Sequence, residues 1–183
     1  MKFVELPLKG SFIVESEYFG DNRGLFGRIF CENEFKKMGL SNKIVQINHS
    51  RTQKKGAVRG MHYQKPPMAE VKMIKCVNGS VFDVMIDLRK NSNTFLQWHS
   101  VQLSAESQKM IYIPEGFAHG FQTLEHDSEL IYLHTQFYAP DFEASINCND
   151  PSIGIKWPME IAEISEKDRK QPYLTDEFEG IEV

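Results

Sequence analysis

The densest chemical patch in the chain is Arg59-Gly60-Met61-His62-Tyr63-Gln64. An imidazole titrates near neutrality, so His62 could withdraw a proton from a substrate. Arg59 could hold an anion through its fork of donors. Strict strand alternation puts Arg59 and His62 on opposite faces. Gly60 between them signals a bulge or a close backbone approach, and a bulge could bring the pair to one face. The plainer alternative is an edge strand with an exposed arginine and a hydrogen-bonded histidine. Lys72 shares parity with Ile74 and Cys76 on an otherwise apolar strand. An inward lysine is costly unless paired or used, although a strand-end lysine can snorkel to water. His119 sits in the turn-to-strand run Pro114–Phe121, where Gly116 and Gly120 allow close backbone approach to a ligand. Tyr132 and Tyr138 share parity near one strand end, a place where half-buried packing is the ordinary role. Asp168 reads by default as a surface acid.

The elements that must carry these residues are mostly short strands separated by turns. Candidates are Arg28–Cys31, Lys43–Asn48, Ala57–Gln64, Val71–Val77, Ser80–Leu88, Leu96–Leu103, Met110–Ile113, His119–Leu124 and Glu129–Gln136. Asn78-Gly79 is a hairpin signal, since both residues tolerate positive φ. In Ser80–Leu88 both parities carry apolar residues, so both faces should be covered at least in part. Helical signal is thin: Glu32 to Met38, ended by Gly39, and Ile161 to Lys170, with Ser165 available as a cap. Thr175–Val183 is acidic and expected to fray. Many short strands at this spacing suggest a sandwich or barrel, including the jelly roll, which can hold one ligand in its mouth.

The chain has 183 residues, a net charge of −4 and a pI of about 5.9. That length fits one domain, and the charge shows no nucleic-acid footprint. No apolar run approaches the roughly 20 residues of a membrane span, and no secretory signal is visible. Cys31, Cys76 and Cys148 are far apart, which argues against a disulfide framework or a cysteine zinc site. A cytoplasmic setting is the expectation.

In order along the chain, the motifs resemble those of the dTDP-4-dehydrorhamnose 3,5-epimerase family. The matching stretches are Asp21 to Phe26, Gln46 to Ser50, Arg59 to Gln64 with Lys72, and Asp83 to Arg89. They continue through Pro114 to Phe121, Tyr138-Ala139-Pro140 with Glu143, Asn149-Asp150-Pro151, Trp157-Pro158 and Ser165 to Asp168. The resemblance implies an all-β fold: a cupin-type double-stranded β-helix (jelly roll) with short peripheral helices, spanning 1–183 as a single domain. It implies an isomerase of deoxysugar biosynthesis that needs no cofactor or metal. Its substrate would be a nucleotide-linked 4-keto-6-deoxyhexose, inverted at C3, C5 or both.

By the same resemblance His62 is the base and Asp168 holds its other ring nitrogen. Lys72 stabilises the enolate oxygen. Tyr132 is the favoured acid on the far face, with Tyr138 second. Arg23, Phe26, Arg28, Gln46, Asn48, Arg59, His119 and Glu143 fall at or beside positions that contact the sugar or the nucleotide. The family forms homodimers in which an N-terminal segment, here bearing Arg23 and Phe26, reaches the partner's site.

The chain also departs from the family pattern. Arg28 stands where a glutamate is expected, Glu70 where a glutamine is usual, Met61 for leucine and Cys148 where tryptophan is common. Arg28 leaves open a CDP- or GDP-linked sugar, because a guanidinium has donors only and cannot accept from thymine N3–H. A metal-dependent cupin is the competing enzyme class. The spacing His62-x-Gln64 breaks its usual histidine pair, while Glu70 and His119 remain as possible ligands. A non-catalytic sugar-nucleotide-binding module and a related sugar-nucleotide ketoisomerase are further alternatives.

Overall fold

A computed structural model of the protein describes residues 1–40 and 43–183. The first strands are β1 (Lys2–Glu5), β2 (Phe12–Glu15), β3 (Tyr18–Asp21) and β4 (Gly24–Gly27), followed by helix α1 (Glu32–Lys37). Next come β5 (Gln46–Thr52), β6 (Ala57–Gln64), β7 (Lys72–Asn78), β8 (Ser80–Asp87) and β9 (Trp98–Ser104). The chain continues with β10 (Lys109–Ile113), β11 (Phe117–Thr123), β12 (Ser128–His134), β13 (Glu143–Ser145), β14 (Glu163–Ile164) and helix α2 (Glu166–Arg169).

One six-stranded sheet runs β1-β2-β10-β7-β12-β5. The other runs β13-β6-β11-β8-β9, with β14 beside β6. The alternation of strands between two antiparallel sheets gives the cupin-type jelly roll, with only short helices at its periphery.

Inward residues of both sheets share one core. Ile74, Cys76, Ile111 and Leu130 come from the first sheet, and Val81, Met85, Phe117 and Phe121 from the second. A different face of the second sheet carries Val84, Ile86 and Leu88, packed under Ile146, Cys148 and Ile153. The last segments of the chain therefore cover that sheet, and both parities of β8 are buried as its sequence implied. On the first sheet, Phe35 of α1 fills a third cluster with Val14, Met73, Tyr112 and Leu133.

Several expected boundaries move. Arg28–Cys31 is not a strand; the pairing lies just before it, in the β3–β4 hairpin. The helix expected over Ile161–Lys170 shrinks to four residues, because Glu163 and Ile164 pair in parallel with Ala57 and Val58. Ser165 does cap it, accepting from Asp168 N–H at 3.0 Å. The C-terminus does not fray as expected. Ile181 N–H donates to Leu88 O and its carbonyl accepts from Lys90 N–H, both at 2.8 Å. Phe178 stacks on Phe95.

Candidate active site

Of the readings open for Gly60, the structure shows a bulge. His119 pairs with His62 and Phe121 with Arg59, so Gly60 and Met61 together oppose the single residue Gly120. His119 and Phe121 share a face of β11, and the extra residue carries Arg59 and His62 to the same face. Glycine is required at the crossing. Gly60 has φ +122, and a Cβ there would lie 2.5 Å from Gly120 Cα and 2.8 Å from His119 O.

That face opens into a cavity of about 1020 Å³, large enough for a nucleotide sugar. The first sheet supplies Asn48, Ser50, Lys72, Tyr132 and His134 to its lining. The second supplies Arg59, His62, His119 and Phe121, and the segment entering α2 adds Ser165, Lys167 and Asp168.

His62 Nε2 lies 2.7 Å from Asp168 Oδ1. Asp168 is buried, and burial alone would raise its pKa. The hydrogen bond and charge of His62, with Gly60 N–H and Ser165, outweigh this and hold the carboxyl below the usual range. The four-residue α2 exists to present this one buried acid. Asp168 is thus no surface residue; Glu166, Lys167 and Arg169 around it are the exposed ones.

Tyr132 faces the cavity from the opposite sheet. Its ring meets His119 edge to face at 6.2 Å and stacks on His134 at 6.1 Å. Its hydroxyl lies 3.3 Å from Ser50 Oγ. Burial, more than the neighbouring charges, drives its pKa well above the ordinary tyrosine value, so the hydroxyl keeps its proton. His119 is held by buried Asp83 at 2.9 Å.

Lys72 turns inward rather than snorkelling to water, the other reading its strand-end position allowed. Its ammonium donates to His62 O at 3.2 Å and lies 3.4 Å from Glu70 Oε1. Arg59 Nε donates to Thr52 Oγ1 at 2.9 Å.

Other expected residues stand at the rim or outside. Gln46 Nε2 donates to Asn48 Oδ1 at 3.2 Å, and its carbonyl accepts from Tyr138 N–H at 3.0 Å. Tyr138 is exposed and its hydroxyl donates to Glu143 at 3.1 Å, an acid also bound by Lys167 at 2.6 Å. Arg23, Phe26 and Arg28 do not line the cavity. Arg23 folds onto Asp21, Phe26 is 78% exposed, and Arg28 pairs with Glu34 at 3.1 Å. They lie on or just after a two-stranded hairpin outside both main sheets.

Ser50, His134 and Lys167 were not singled out in the sequence. Strand parity was the available signal for the first two, since Ser50 shares it with Asn48 and His134 with Tyr132. Among the described residues no cluster of three His, Cys, Asp or Glu side chains is placed to hold a metal ion.

A family model described as dTDP-4-dehydrorhamnose 3,5-epimerase matches residues 5–176. The enzyme of that name from Salmonella typhimurium strain LT2 is 43% identical over 176 residues, covering 95% of this chain and 96% of the relative. The crystal structure of the Elizabethkingia anophelis epimerase superposes with a TM-score of 0.92 at 39% identity, covering 97% of this chain and 98% of that one. The Legionella pneumophila 3,5-epimerase, solved with dTDP-4-keto-L-rhamnose, gives 0.92 at 35% identity, covering 100% of this chain and 98% of that one. The fold is that of the cupin-type sugar-nucleotide isomerases. The chain belongs to the dTDP-4-dehydrorhamnose 3,5-epimerase family.

Proposed function

We propose that this cavity epimerises a dTDP-linked 4-keto-6-deoxyhexose at C3, C5 or both, in the making of a rhamnose-type deoxysugar for cell-surface polysaccharide such as O-antigen. One observation carries the reading: His62 and Tyr132 stand on opposite sheets and face one cavity. Inversion at carbon needs a base on one side of the sugar ring and an acid on the other.

His62 withdraws the proton made acidic by the adjacent ketone. Asp168, kept anionic, steadies the imidazolium that forms. The electron pair moves onto the ketone oxygen, where the Lys72 ammonium offsets the charge in a partly dry site. Tyr132 returns a proton from the opposite wall, and exchange with solvent restores both groups. Arg59, His119, Asn48 and Gln46 hold the sugar and diphosphate, while Glu143 and Tyr138 border the entrance.

Residues 1–183 act as one domain in a homodimer. The β3–β4 hairpin, which leaves Phe19, Leu25 and Phe26 exposed, reaches the partner's cavity and brings Arg23 and Phe26 to it. No helix among the described residues is long and apolar enough to cross a membrane. A cytoplasmic enzyme acting on a diffusible nucleotide sugar, without nucleic acid or membrane as partner, is the reading we adopt.

Deuterium wash-in tests it. The protein is incubated in heavy water with dTDP-4-dehydro-6-deoxyglucose, and label is located by mass and NMR. Label at C3 or C5 with inverted product is expected. Unlabelled, unchanged substrate would overturn the reading.

A further inference from the structure

The edge strand β5 presents small polar side chains of one parity to the cavity, and each contacts a larger group there. Asn48 Nδ2 lies 3.3 Å from His134 Nε2, and Ser50 Oγ lies 3.3 Å from the Tyr132 hydroxyl. Thr52 Oγ1 accepts from Arg59 Nε at 2.9 Å. The first two contacts stay within one sheet. The third crosses between sheets: Thr52 ends β5 in the first, and Arg59 stands beside the Gly60 bulge of β6 in the second. Thr52 is 6% exposed, and its branching at Cβ restricts the rotamers open to the hydroxyl.

Arg59 is held in a different way from most arginines of the chain. Arg23, Arg28, Arg51 and Arg89 each pair with a carboxylate, on Asp21, Glu34, Asp127 and Asp87 respectively. Among the described residues no carboxylate is ion-paired to Arg59, and its hydrogen bond goes to a neutral hydroxyl. A guanidinium carries five N–H donors. Thr52 takes the one on Nε and leaves those on the two terminal nitrogens for a ligand. A carboxylate in its place would orient the group but also offset its charge; a hydroxyl orients it and leaves the charge in place. Arg59 thus lines the cavity with an undiminished cation and a paired edge of donors, which suits two oxygens of a phosphate group.

We infer that Thr52 is a positioning residue for diphosphate recognition: its hydroxyl pins Arg59 Nε so that the terminal edge of the guanidinium meets the substrate's diphosphate. The inference rests on the diphosphate role given to Arg59 above. An unheld arginine gives up rotamer freedom when it binds, and the Thr52 bond removes part of that cost beforehand.

Thr52→Val tests this, since it keeps the shape and removes the acceptor. The Kd for dTDP, measured by calorimetry on the full chain, should rise about 3- to 10-fold. KM for the dTDP-linked 4-keto sugar should rise by a similar factor with kcat within about 2-fold, as for an interaction made equally in the ground and transition states. Thr52→Ser keeps a hydroxyl and should restore both. Thr52→Ala also removes the hydroxyl and gives the same readout should Thr52→Val not fold. In an Arg59→Met background, Thr52→Val should change the dTDP Kd by less than about 2-fold, because the hydroxyl acts only through the guanidinium. A wild-type Kd in the variants lacking the hydroxyl, a loss that Thr52→Ser does not restore, or the same loss in the Arg59→Met background overturns the inference. Arg59→Met binding dTDP as tightly as wild type instead overturns the diphosphate role of Arg59 beneath it.

Discussion

Asp168 Oδ1 lies 2.7 Å from His62 Nε2, across 106 positions of sequence. The contact joins a four-residue helix to the bulged centre of β6. It depends on Ile164 pairing with Val58, which lays the end of the chain alongside that strand.

Catalysis should fail when either member of this pair is removed. His62→Ala should lower C–H exchange by a factor of about 100 to 10,000. Asp168→Asn should also lose turnover, because an amide cannot steady an imidazolium as a carboxylate does. Exchange measured by NMR in heavy water decides it. Wild-type exchange in His62→Ala would mean that another group is the base.

Tyr132→Phe should separate the two halves of the reaction. Its hydroxyl delivers a proton from the wall opposite His62, so its loss should reduce net inversion more than proton removal. Rates of deuterium wash-in and of product formation, measured on one sample, give the ratio. Equal loss of both would assign the acid elsewhere, with Tyr138 as the next candidate.

Much of this site was legible before folding. A glycine inside a strand left a bulge or a close approach at Gly60 as one reading beside a plain edge strand, and parity with Ile74 and Cys76 left Lys72 either turned inward or snorkelling to water; the structure shows the bulge and the inward lysine. Asp168 was legible only through family resemblance, because its burial comes from a parallel pairing between β14 and β6 that local patterning does not encode. The Glu70–His134 pair was hidden for a similar reason. Glu70 stood out as a departure from the family pattern and a possible metal ligand, and His134 not at all; only the β7–β12 register, His134 opposite Lys72, brings them within 2.7 Å. The hairpin strands β3 and β4 were missed because three glycines and exposed aromatics leave no inward–outward alternation to read.

Acid should destabilise the fold. Glu70, Asp87, Asp150 and Asp168 are all held below the usual carboxylate range by their hydrogen-bond partners, despite burial. Each binds more protons unfolded than folded at low pH, so stability rises with pH there. Their contribution is complete above the unfolded values and is lost as pH falls through the lowered folded ones. Asp83, raised by burial, works in the opposite sense, one group against four. Tm by calorimetry should therefore fall steadily as the pH is taken from 5 downward. A flat or rising Tm over that range would contradict the assignment.

A dimer should be seen by light scattering at micromolar concentration, at about twice 21.2 kDa. The hairpin shows Phe26 at 78% and Leu25 and Phe19 at 64% exposure, apolar surface that a second copy would cover. An interface of roughly 1,600 Å² or more is expected. Changing Phe19 and Leu25 to serine together should weaken assembly, and activity should decline with dilution. A monomer retaining full activity would show that the hairpin serves no partner.

Nucleotide choice should not turn on Arg28. The worry raised by its position is chemical: an arginine offers five donors and no acceptor, so it cannot accept the N3–H of thymine. It suits the acceptor edges of cytosine or guanine better. In the structure, however, the guanidinium donates to Glu34 Oε1 at 3.1 Å, and its side chain is 65% exposed. An arginine occupied by an acid on α1 is not presenting its fork to a base, and an exposed pair of this kind is worth at most about 1 kcal/mol. Phe26, exposed and two positions earlier, offers a ring on which thymine can stack. Competition among dTDP, UDP, CDP and GDP should therefore rank dTDP first, and Arg28→Glu should leave the order unchanged. A preference for CDP or GDP that reverts to dTDP in Arg28→Glu would show that Arg28 leaves Glu34 on binding and selects the base.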